Sequence, residues 1–473
     1  MLAWDPGTLL LPVAEGFILA YFLLLQGSYL ILLLISYVSV LRYRHAVACE
    51  HWRSIIQSPL TLPISIIAPA YNEERTIIES VRSLLSLEYP EFEVIVVNDG
   101  SRDATLLTLI EHFELTPIPV TIEYAIPCRP IRHVYRSSKY PRLVVLDKEN
   151  GGKADALNAG IIMASHSLFC AIDADSLLEG NALLRITRLF LEQPDTVAVG
   201  GVIRIANGCR VERGQVTEVG LPGNPLAIFQ SVEYLRAFLF GRVGWSALGA
   251  LLIISGAFGV FRRQVVLDVG GYRHDTVGED FELVVRMHRH LRDRKIRYRI
   301  VFLPDPVCWT EAPETLRTLG RQRNRWQRGL IDTLKIHRRM CLNPRYGRIG
   351  LLAMPYFVLI ELLGPLIELS GYLFVIVGFC LNLINLPFLL LFLTLAILIG
   401  TVLSVASVVL DEIAYRRFPR LSQVLTLIVF GLAEHFGYRQ LTVWWRVRAF
   451  LDYWRGNKSW GAMERKGFTR PRA

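Results

Sequence analysis

Long apolar runs lie near both ends of the chain, whereas the middle alternates short apolar runs with amphipathic segments. Residues 16–41 are uncharged over 26 positions, which is long enough for a helix to span a bilayer. From about residue 349 the chain turns apolar again, and residues 369–410 carry no charge. This pattern predicts one membrane span over residues 16–41. It predicts two more near the C-terminus, one over residues 350–378 and one that ends at residue 410, and a tight turn near residues 382–387 joins these two.

Charged residues beside these runs predict the side of the membrane on which each segment lies. Arg42, Arg44 and Arg53 follow the first run, while the residues before it carry only Asp5 and Glu15. The positive-inside rule then places the N-terminus outside and the middle of the chain in the cytosol. Because no basic region precedes a shorter apolar core, we expect an anchor and not a cleaved signal peptide.

The last apolar segment, residues 421–445, loses its clean apolar character at Glu434 and His435. A single crossing would leave the basic tail outside, against the positive-inside rule. We therefore favour a re-entrant or paired short helix and a cytosolic tail over a single crossing. The expected units are an anchor, a cytosolic domain, an interface helix, a membrane region and a tail: residues 1–48, 49–315, 316–345, 346–445 and 446–473.

The cytosolic part has the pattern of a parallel sheet. Residues 64–68 (ISIIA) and 94–97 (VIVV) are β-branched runs, and residues 76–87 between them place their apolar side chains on one helical face. Strand, helix and strand in this order indicate a βαβ unit, whose sheet is covered by helices on both faces. Residues 143–146 and the run that ends at residue 172 predict further strands. The expected fold class is α/β.

Composition narrows the class of protein. Of 473 residues, 52% are hydrophobic, which is too apolar for one soluble domain. The net charge of +10 is explained by membrane-flanking basic residues or by an anionic substrate, and neither requires nucleic acid. Seven cysteines without C-x-x-C spacing indicate reduced thiols, not a disulfide framework or a zinc site.

Polar residues follow each predicted strand, where parallel sheets bind their ligands. Asp173 and Asp175 come after a buried strand, and two such carboxylates can share Mg²⁺ or Mn²⁺ with substrate phosphates and water. The same D-x-D can be an ordinary surface turn. Tyr71 could stack on a base, and Glu73 and Asp99 could accept hydrogen bonds from a base or ribose, or could serve as turn and helix-capping residues.

Two glycine-containing motifs open predicted helices. Gly151-Gly152-Lys153 could cradle a diphosphate with backbone N–H groups and one ammonium. Asp280, in Gly-Glu-Asp, could act as a general base that stays ionised at pH 7. It could also be an ordinary acid at a helix N-terminus.

Residues 316–339 predict a basic amphipathic helix of the kind that lies on a membrane surface. Within it, Arg325 could grip a diphosphate bidentately and Trp326 could stack on a sugar. In the following span, Glu361 and Glu368 lie on one face, and carboxylates in membrane helices are costly. They either line a channel for a polymer or pair with arginines, and both alternatives stay open.

Taken in order, these motifs resemble the membrane-embedded family 2 glycosyltransferases that make cellulose, chitin, hyaluronan and poly-N-acetylglucosamine. The resemblance covers residues 63–330, and the flanking spans match as well. It implies a GT-A type, Rossmann-like catalytic domain flanked by transmembrane helices. It also implies inverting, processive transfer from a UDP-sugar, first of all UDP-N-acetylglucosamine, to a growing polysaccharide that the membrane region can export.

The resemblance also assigns roles to the candidate residues. Asp280 would be the catalytic base, and Asp175, with Asp173 nearer the nucleotide, would bind Mg²⁺ or Mn²⁺. Tyr71, Glu73 and Asp99 would line the uridine pocket, Lys153 would lie near the diphosphate, and Q-x-x-R-W would be the signature of processive members. The residues expected to contact substrate are Tyr71, Glu73, Asp99, Lys153, Asp173, Gln322, Arg325 and Trp326.

The implied location is the cell's inner membrane, with several spans and a cytosolic catalytic domain. The implied partners are the donor, the polymer, the lipid bilayer and accessory secretion subunits. The alternatives are a non-processive transferase with a lipid-linked acceptor, an inactive scaffold subunit and a membrane nucleotidyltransferase. Two features depart from the family pattern: a single span precedes the domain, and residues 118–140 match no motif.

Overall fold

The computed structural model describes residues 6–48, 61–212, 214–384 and 386–457. Cys49, Arg53 and most of the expected basic tail lie outside these residues. In the described part, twelve strands occur, ten of them in one sheet. The strands are β1 Ile64–Ala70, β2 Phe92–Asp99, β3 Leu115–Ile118, β4 Ile131–Ser137, β5 Leu143–Lys148, β6 Leu168–Ile172, β7 Leu177–Leu178, β8 Thr196–Ile205, β9 Arg210–Glu212, β10 Gln215–Glu218, β11 Phe258–Arg262 and β12 Arg299–Thr310.

The sheet has the strand order β3-β4-β5-β2-β1-β6-β11-β8-β12-β7. Strands β5, β2, β1 and β6 are parallel neighbours, so their carboxyl ends reach one edge of the sheet, where such folds bind ligands. Strand β11 runs antiparallel to both β6 and β8, which makes the second half mixed. The α/β class with a parallel βαβ unit is confirmed, and β9 pairs only with β10 among the described strands.

Helices cover this sheet. In the first of them, α2, the buried residues Ile77, Val81 and Leu84 form one face, as the 3.6-residue period predicts. The domain helices are α2 Ile77–Leu85, α3 Thr105–Phe113, α4 Lys153–Met163, α5 Ala182–Glu192, α6 Pro225–Tyr234, α7 Val243–Ala247, α8 Arg263–Asp268, α9 Glu279–Asp293 and α10 Leu316–Ile336. Helices α6 and α7 are joined by the π-helical turns of Leu235–Arg242.

The membrane region begins with α1, Pro6–Ala48. Three helices in the described residues are long and apolar enough to cross a membrane, Leu11–Ala46 within α1, α11 Ile349–Cys380 and α12 Leu386–Tyr415. They mark the chain as a membrane protein. Both predicted C-terminal spans are therefore helical, and the described residues 381–384 between them lie where the turn was predicted.

The last two helices, α13 Leu421–Ala433 and α14 Tyr438–Trp454, bend by 57° where they meet. The expected start of the tail, residue 446, falls inside α14. Arg446 lies inside α14 and donates from Nε to the Gln327 side chain at 2.8 Å. This contact links α14 to α10.

One apolar core joins the membrane helices to the sheet. Leu32 and Val40 of α1 and Leu403 of α12 belong to the same buried cluster as the strands. Polar contacts reinforce the junction, since the Tyr43 hydroxyl donates to Asp305 at 2.7 Å. The segment 118–140, which matched no motif, supplies β4 and extends the sheet at its β3 edge.

Candidate active site

A cleft of about 1170 Å³ opens where the carboxyl ends of β1, β2, β5 and β6 meet. The turns that follow these strands form one wall, and the start of α9 and the middle of α10 form another. Every candidate site residue lines this cleft: Tyr71, Glu73, Asp99, Lys153, Asp173, Asp175, Asp280, Gln322, Arg325 and Trp326. Motifs far apart in sequence thus face one cavity.

The turn after β1 presents an aromatic ring. The Tyr71 side chain is 44% exposed, so it is accessible to a planar ligand. Glu73 lies deeper, where its Oε2 accepts a hydrogen bond from the Thr76 hydroxyl at 2.7 Å. Glu73 therefore takes part in ordering the start of α2 as well as lining the cleft.

Asp99, at the end of β2, is 3% exposed. Its carboxylate accepts hydrogen bonds from the backbone N–H of Gly151 at 3.0 Å and of Gly152 at 2.8 Å. It also accepts one from Lys148 Nζ at 2.7 Å. The two amides expected to cradle a diphosphate are instead engaged by a protein carboxylate, so Asp99 orders the turn that leads into Lys153.

Lys153 is the first residue of α4 and reaches into the acidic side of the cleft. Its ammonium forms an ion pair with Asp173 and donates to the Gly256 carbonyl at 2.9 Å. The Glu279 carboxylate is 4.0 Å away. Burial alone would lower the pKa of Lys153, but the attraction of the surrounding carboxylates is larger, so the pKa of Lys153 is raised. The ammonium stays charged at neutral pH.

Asp280 lies in the first turn of α9. Its Oδ2 accepts a hydrogen bond from the Gly256 N–H at 2.7 Å, and its Oδ1 accepts one from the Phe281 N–H at 2.8 Å. Backbone donors therefore fix the carboxylate at the cleft wall. Such a fixed carboxylate can accept a proton from a hydroxyl that approaches from the cleft.

The neighbouring Glu279 also lines the cleft, and sequence reasoning assigned it no role. It is 5% exposed. Burial raises the pKa of Glu279 to about 7, and Asp280 adds to the rise, while Lys153 and Arg325 oppose it. Its place in the same motif was a signal that could have singled it out, but its burial was not visible in the sequence.

A second overlooked residue is Arg242, at the end of the turns after α6. It lines the cleft, and its guanidinium lies 4.0 Å from the centre of the Phe238 ring. Burial lowers the pKa of Arg242 to about 10, although Asp280 acts in the opposite direction. The cleft therefore contains a half-buried cation from a segment that carries no recognisable motif.

The Gln-Arg-Asn-Arg-Trp segment lies on α10. Arg323 donates to Glu233 at 2.7 Å, and its guanidinium lies 4.3 Å from the centre of a Trp326 ring. Gln322 and Arg325 are almost fully buried, whereas Trp326 is 44% exposed. Arg323, which the signature leaves variable, therefore holds the exposed indole in place at the cleft.

The acidic turn after β6 offers two hard oxygen donors, Asp173 and Asp175. In the described ranges, no group of three or more His, Cys, Asp or Glu side chains could hold a metal ion. Two carboxylates still suit Mg²⁺ or Mn²⁺, which take one or two protein carboxylates and complete their shell with phosphate and water. The Lys153 ammonium pairs with Asp173, so it partly neutralises the carboxylate that such an ion would share.

Two family profiles match the chain. The glycosyl transferase family 2 profile matches residues 65–269. The profile of glycosyl transferase family group 2 matches residues 168–405, which is half of the chain.

Among known proteins, the chain is similar to the poly-beta-1,6-N-acetyl-D-glucosamine synthases of staphylococci. It is 32% identical to that of Staphylococcus epidermidis over 272 residues, which cover 57% of this chain and 55% of the relative. It is 31% identical to that of Staphylococcus aureus strain COL over the same length. The match thus spans about half the length of these relatives.

Among solved structures, the chain resembles the mannosyltransferase PcManGT from Pyrobaculum calidifontis, determined with GDP-Man and Mn²⁺. The TM-score is 0.52 at 18% identity, and the match covers 93% of this chain and 100% of that one. This likeness concerns the fold, which is of the GT-A type. The profile that spans residues 168–405 shows that the chain belongs to the family 2 glycosyltransferases.

Proposed function

We propose that this protein is an inverting, processive β-glycosyltransferase that elongates a polysaccharide from UDP-N-acetylglucosamine. The observation that carries the proposal is the single cleft shared by the D-x-D turn, Asp280 and Trp326. The similarity to poly-beta-1,6-N-acetyl-D-glucosamine synthases supports the choice of sugar. Family membership and the cleft support the reaction type independently of that choice.

The donor nucleotide would bind at the ends of β1 and β2. Tyr71 stacks on the uracil, and Glu73 and Asp99 complete the uridine pocket. Lys153 and Arg325 provide positive charge near the diphosphate. Such fixed charges stabilise the negative charge that develops on the leaving group.

Asp173 and Asp175 would hold a divalent cation, Mg²⁺ or Mn²⁺, with Asp175 the direct ligand and Asp173 nearer the nucleotide. Their two carboxylates and the acidic character of the turn fit such an ion. When bound, it would supply further neutralisation of the diphosphate. Lys153 would then redistribute its contacts toward Glu279 and the Gly256 carbonyl, both of which lie within its reach.

Asp280 would act as the general base. As the acceptor hydroxyl attacks the anomeric carbon, a new carbon–oxygen bond forms and the bond to the UDP oxygen breaks on the opposite face. The hydroxyl proton passes to Asp280, and the configuration inverts. A second carboxylic acid is unnecessary, because a neutralised UDP is a good leaving group, unlike the alcohol released in glycoside hydrolysis.

The acceptor polymer would occupy the side of the cleft near Trp326. The cleft is also lined by Phe357 and Glu361 of α11 and by Arg446 of α14, so it extends from Asp280 toward the membrane helices. A chain that slides past Trp326 after each addition would enter that region. This continuity supports processive extension and export through the membrane region.

The proposed topology has the N-terminus outside the inner membrane, with the catalytic domain and the C-terminal tail in the cytosol. Helices α13 and α14 would form a re-entrant pair. Accessory secretion subunits would act beside the membrane helices. Labelling of single cysteines introduced at both ends, from each side of the membrane, tests this arrangement.

The decisive experiment is UDP release by the purified full chain in detergent, with sizing of the product. UDP-N-acetylglucosamine, UDP-glucose and UDP-glucuronate are offered singly and in pairs with Mg²⁺ or Mn²⁺. We expect long polymer from UDP-N-acetylglucosamine alone and loss of turnover in EDTA. Asp280→Asn should lower transfer by about 10²- to 10⁴-fold while UDP binding persists.

The matched control is Asp268→Asn, which changes an exposed carboxylate that accepts a hydrogen bond from the Gln264 side chain at 2.8 Å. This variant should keep wild-type turnover. No UDP release from any donor, with Asp280→Asn indistinguishable from wild type, would overturn the proposal. Short products on a lipid acceptor would replace processive extension with single transfer.

A further inference from the structure

The loop between β3 and β4, residues 119–130, contains one fully buried apolar residue, Ile126, and two partly buried ones, Ile122 and Cys128, that pack against the core. Ile126 is 3% exposed, whereas Val120 is 40% and Tyr124 is 48% exposed. Most of the loop therefore faces solvent while one side chain is inserted. The buried Ile126 side chain therefore determines where the loop packs against the rest of the domain.

Ile126 presses on the segment that leads to α9. A Cβ atom added to Gly271 would lie 2.6 Å from Ile126 Cδ1 and 2.5 Å from Asn158 Oδ1. Real Cβ atoms do not come this close to other heavy atoms, so both side chains lie close against Gly271, whose φ of +72° also favours glycine. The loop and the segment that begins at Gly271 are thus packed without a gap.

Asn158, on α4, joins the same two segments by hydrogen bonds and is fully buried. Its Nδ2 donates to the carbonyls of Pro127 and Tyr272, both at 3.0 Å. Its Oδ1 accepts from the Tyr272 N–H at 2.7 Å. One amide therefore clamps the loop to the backbone that precedes α9.

Asp155, one turn earlier on α4, makes a second clamp. Both of its oxygens lie 3.0 Å from the Arg129 N–H, and His274 Nδ1 is 3.2 Å away. Lys148 Nζ lies 2.5 Å from the same carboxylate and also holds Asp99. The clamp thus connects the loop to both sides of the cleft.

We infer that the loop of residues 119–130 is a positioning element for the general base. By packing on Gly271 and bonding through Asn158 and Asp155, it fixes residues 271–278, which run directly into Glu279 and Asp280. The role of Asp280 as base belongs to the proposed function, and the inference rests on it. Ile126 and Asn158 are therefore positioning residues.

The test compares Ile126→Ala with Val120→Ala, a matched truncation at an exposed site of the same loop, in the full chain. Amide hydrogen exchange is measured with UDP binding and steady-state kinetics. In Ile126→Ala, residues 272–280 should exchange about tenfold faster, and kcat should fall about tenfold or more, since small displacements of reacting groups are costly. The donor KM and UDP affinity should change less than about twofold.

Two further variants separate positioning from folding. Ile126→Leu should restore kcat because it keeps the apolar contact, and Asn158→Asp should reproduce the faster exchange because it loses both donors. The exchange measurement needs no turnover, so an inactive wild type would count against the proposed function alone. Unchanged exchange at 272–280 in Ile126→Ala, an equal change in Val120→Ala, or a rise spread over the whole sheet would overturn the inference.

Discussion

Glu279 places a carboxyl group where its charge is disfavoured. Burial raises the pKa of Glu279 from 4.5 to about 7, so the folded protein holds a proton that the unfolded chain releases above pH 4.5. The unfolded state therefore binds fewer protons between these two values. By linkage, folding stability falls as the pH rises from about 4.5 to about 7.

Replacing this group should remove that part of the pH dependence. We expect Glu279→Gln to raise the midpoint of thermal unfolding above that of wild type, and to raise it more at pH 8 than at pH 5. The reason is that only the wild type must ionise a buried acid at pH 8. Unfolding of the detergent-solubilised protein at both pH values measures this difference. Equal differences at pH 5 and pH 8 would show that the carboxyl group is not held protonated.

At the scale of single residues, the sequence identified the motif residues but not the side chains that surround them. The apolar run before Asp173 and the helix opening at Asp280 were enough to predict where two of the carboxylates would lie. The surroundings that bury Glu279 and partly cover Arg242 depend on side chains that arrive from distant elements. The engagement of the Gly151 and Gly152 amides by Asp99 likewise requires β2 and β5 to be neighbours, which a motif does not reveal.

At the scale of elements, α9 and α10 touch backbone to backbone. A Cβ on Gly329 would lie 2.7 Å from the Gly278 Cα, and one on Gly278 would lie 2.8 Å from the Gly329 Cα. Gly329 is inside α10, where glycine costs about 1 kcal/mol relative to alanine. Glycine at this position lets the two backbones come into contact, and this contact brings the motif of Asp280 next to that of Trp326.

We therefore expect Gly329→Ala to be destabilising despite the better helix propensity of alanine. Forcing a methyl group into a filled contact costs about 1–3 kcal/mol, and displacement of α10 should lower the transfer rate about tenfold or more. Gly27→Ala is the control, because a Cβ on Gly27 of α1 meets no atom within 4 Å. A Gly329→Ala protein as active and stable as wild type would contradict the contact.

Elements were also predictable to different degrees. The periods of residues 64–68, 76–87 and 94–97 predicted β1, α2 and β2, because local patterns decide buried strands and amphipathic helices. The antiparallel insertion of β11 was not predictable, since strand order is set by contacts across the whole domain. The loop of residues 119–130 matched no motif because its contacts with α4 are made by backbone atoms.

At the scale of the molecule, the charged residues of the membrane helices form pairs. Glu368 of α11 accepts from Arg439 Nε of α14 at 3.1 Å, and Glu361 lies 3.3 Å from Arg446 of the same helix. Of the two alternatives left open by the sequence, the structure favours pairing with arginines. Glu361 also lines the cleft, so pairing does not remove it from the proposed polymer path.

Removing one partner of such a pair should lower the stability of the fold more than removing both partners. Glu368→Gln leaves Arg439 without its carboxylate, and an uncompensated buried charge costs about 3–5 kcal/mol. We expect the double variant Glu368→Gln/Arg439→Gln to recover much of that loss in thermal unfolding. Glu212→Gln breaks an exposed pair with Arg210 and should change stability by less than about 1 kcal/mol. Additive losses in the double variant would refute the pairing.

The apolar core shared by α1, α12 and the sheet has a mechanical consequence. Leu32, Val40 and Leu403 belong to helices that are apolar enough to cross a membrane, and they also pack in the core that supports the strands. A change in bilayer thickness that tilts α1 would therefore shift the support of the strands whose ends line the cleft. We expect the rate of the proposed transfer to vary with the lipid composition of the membrane.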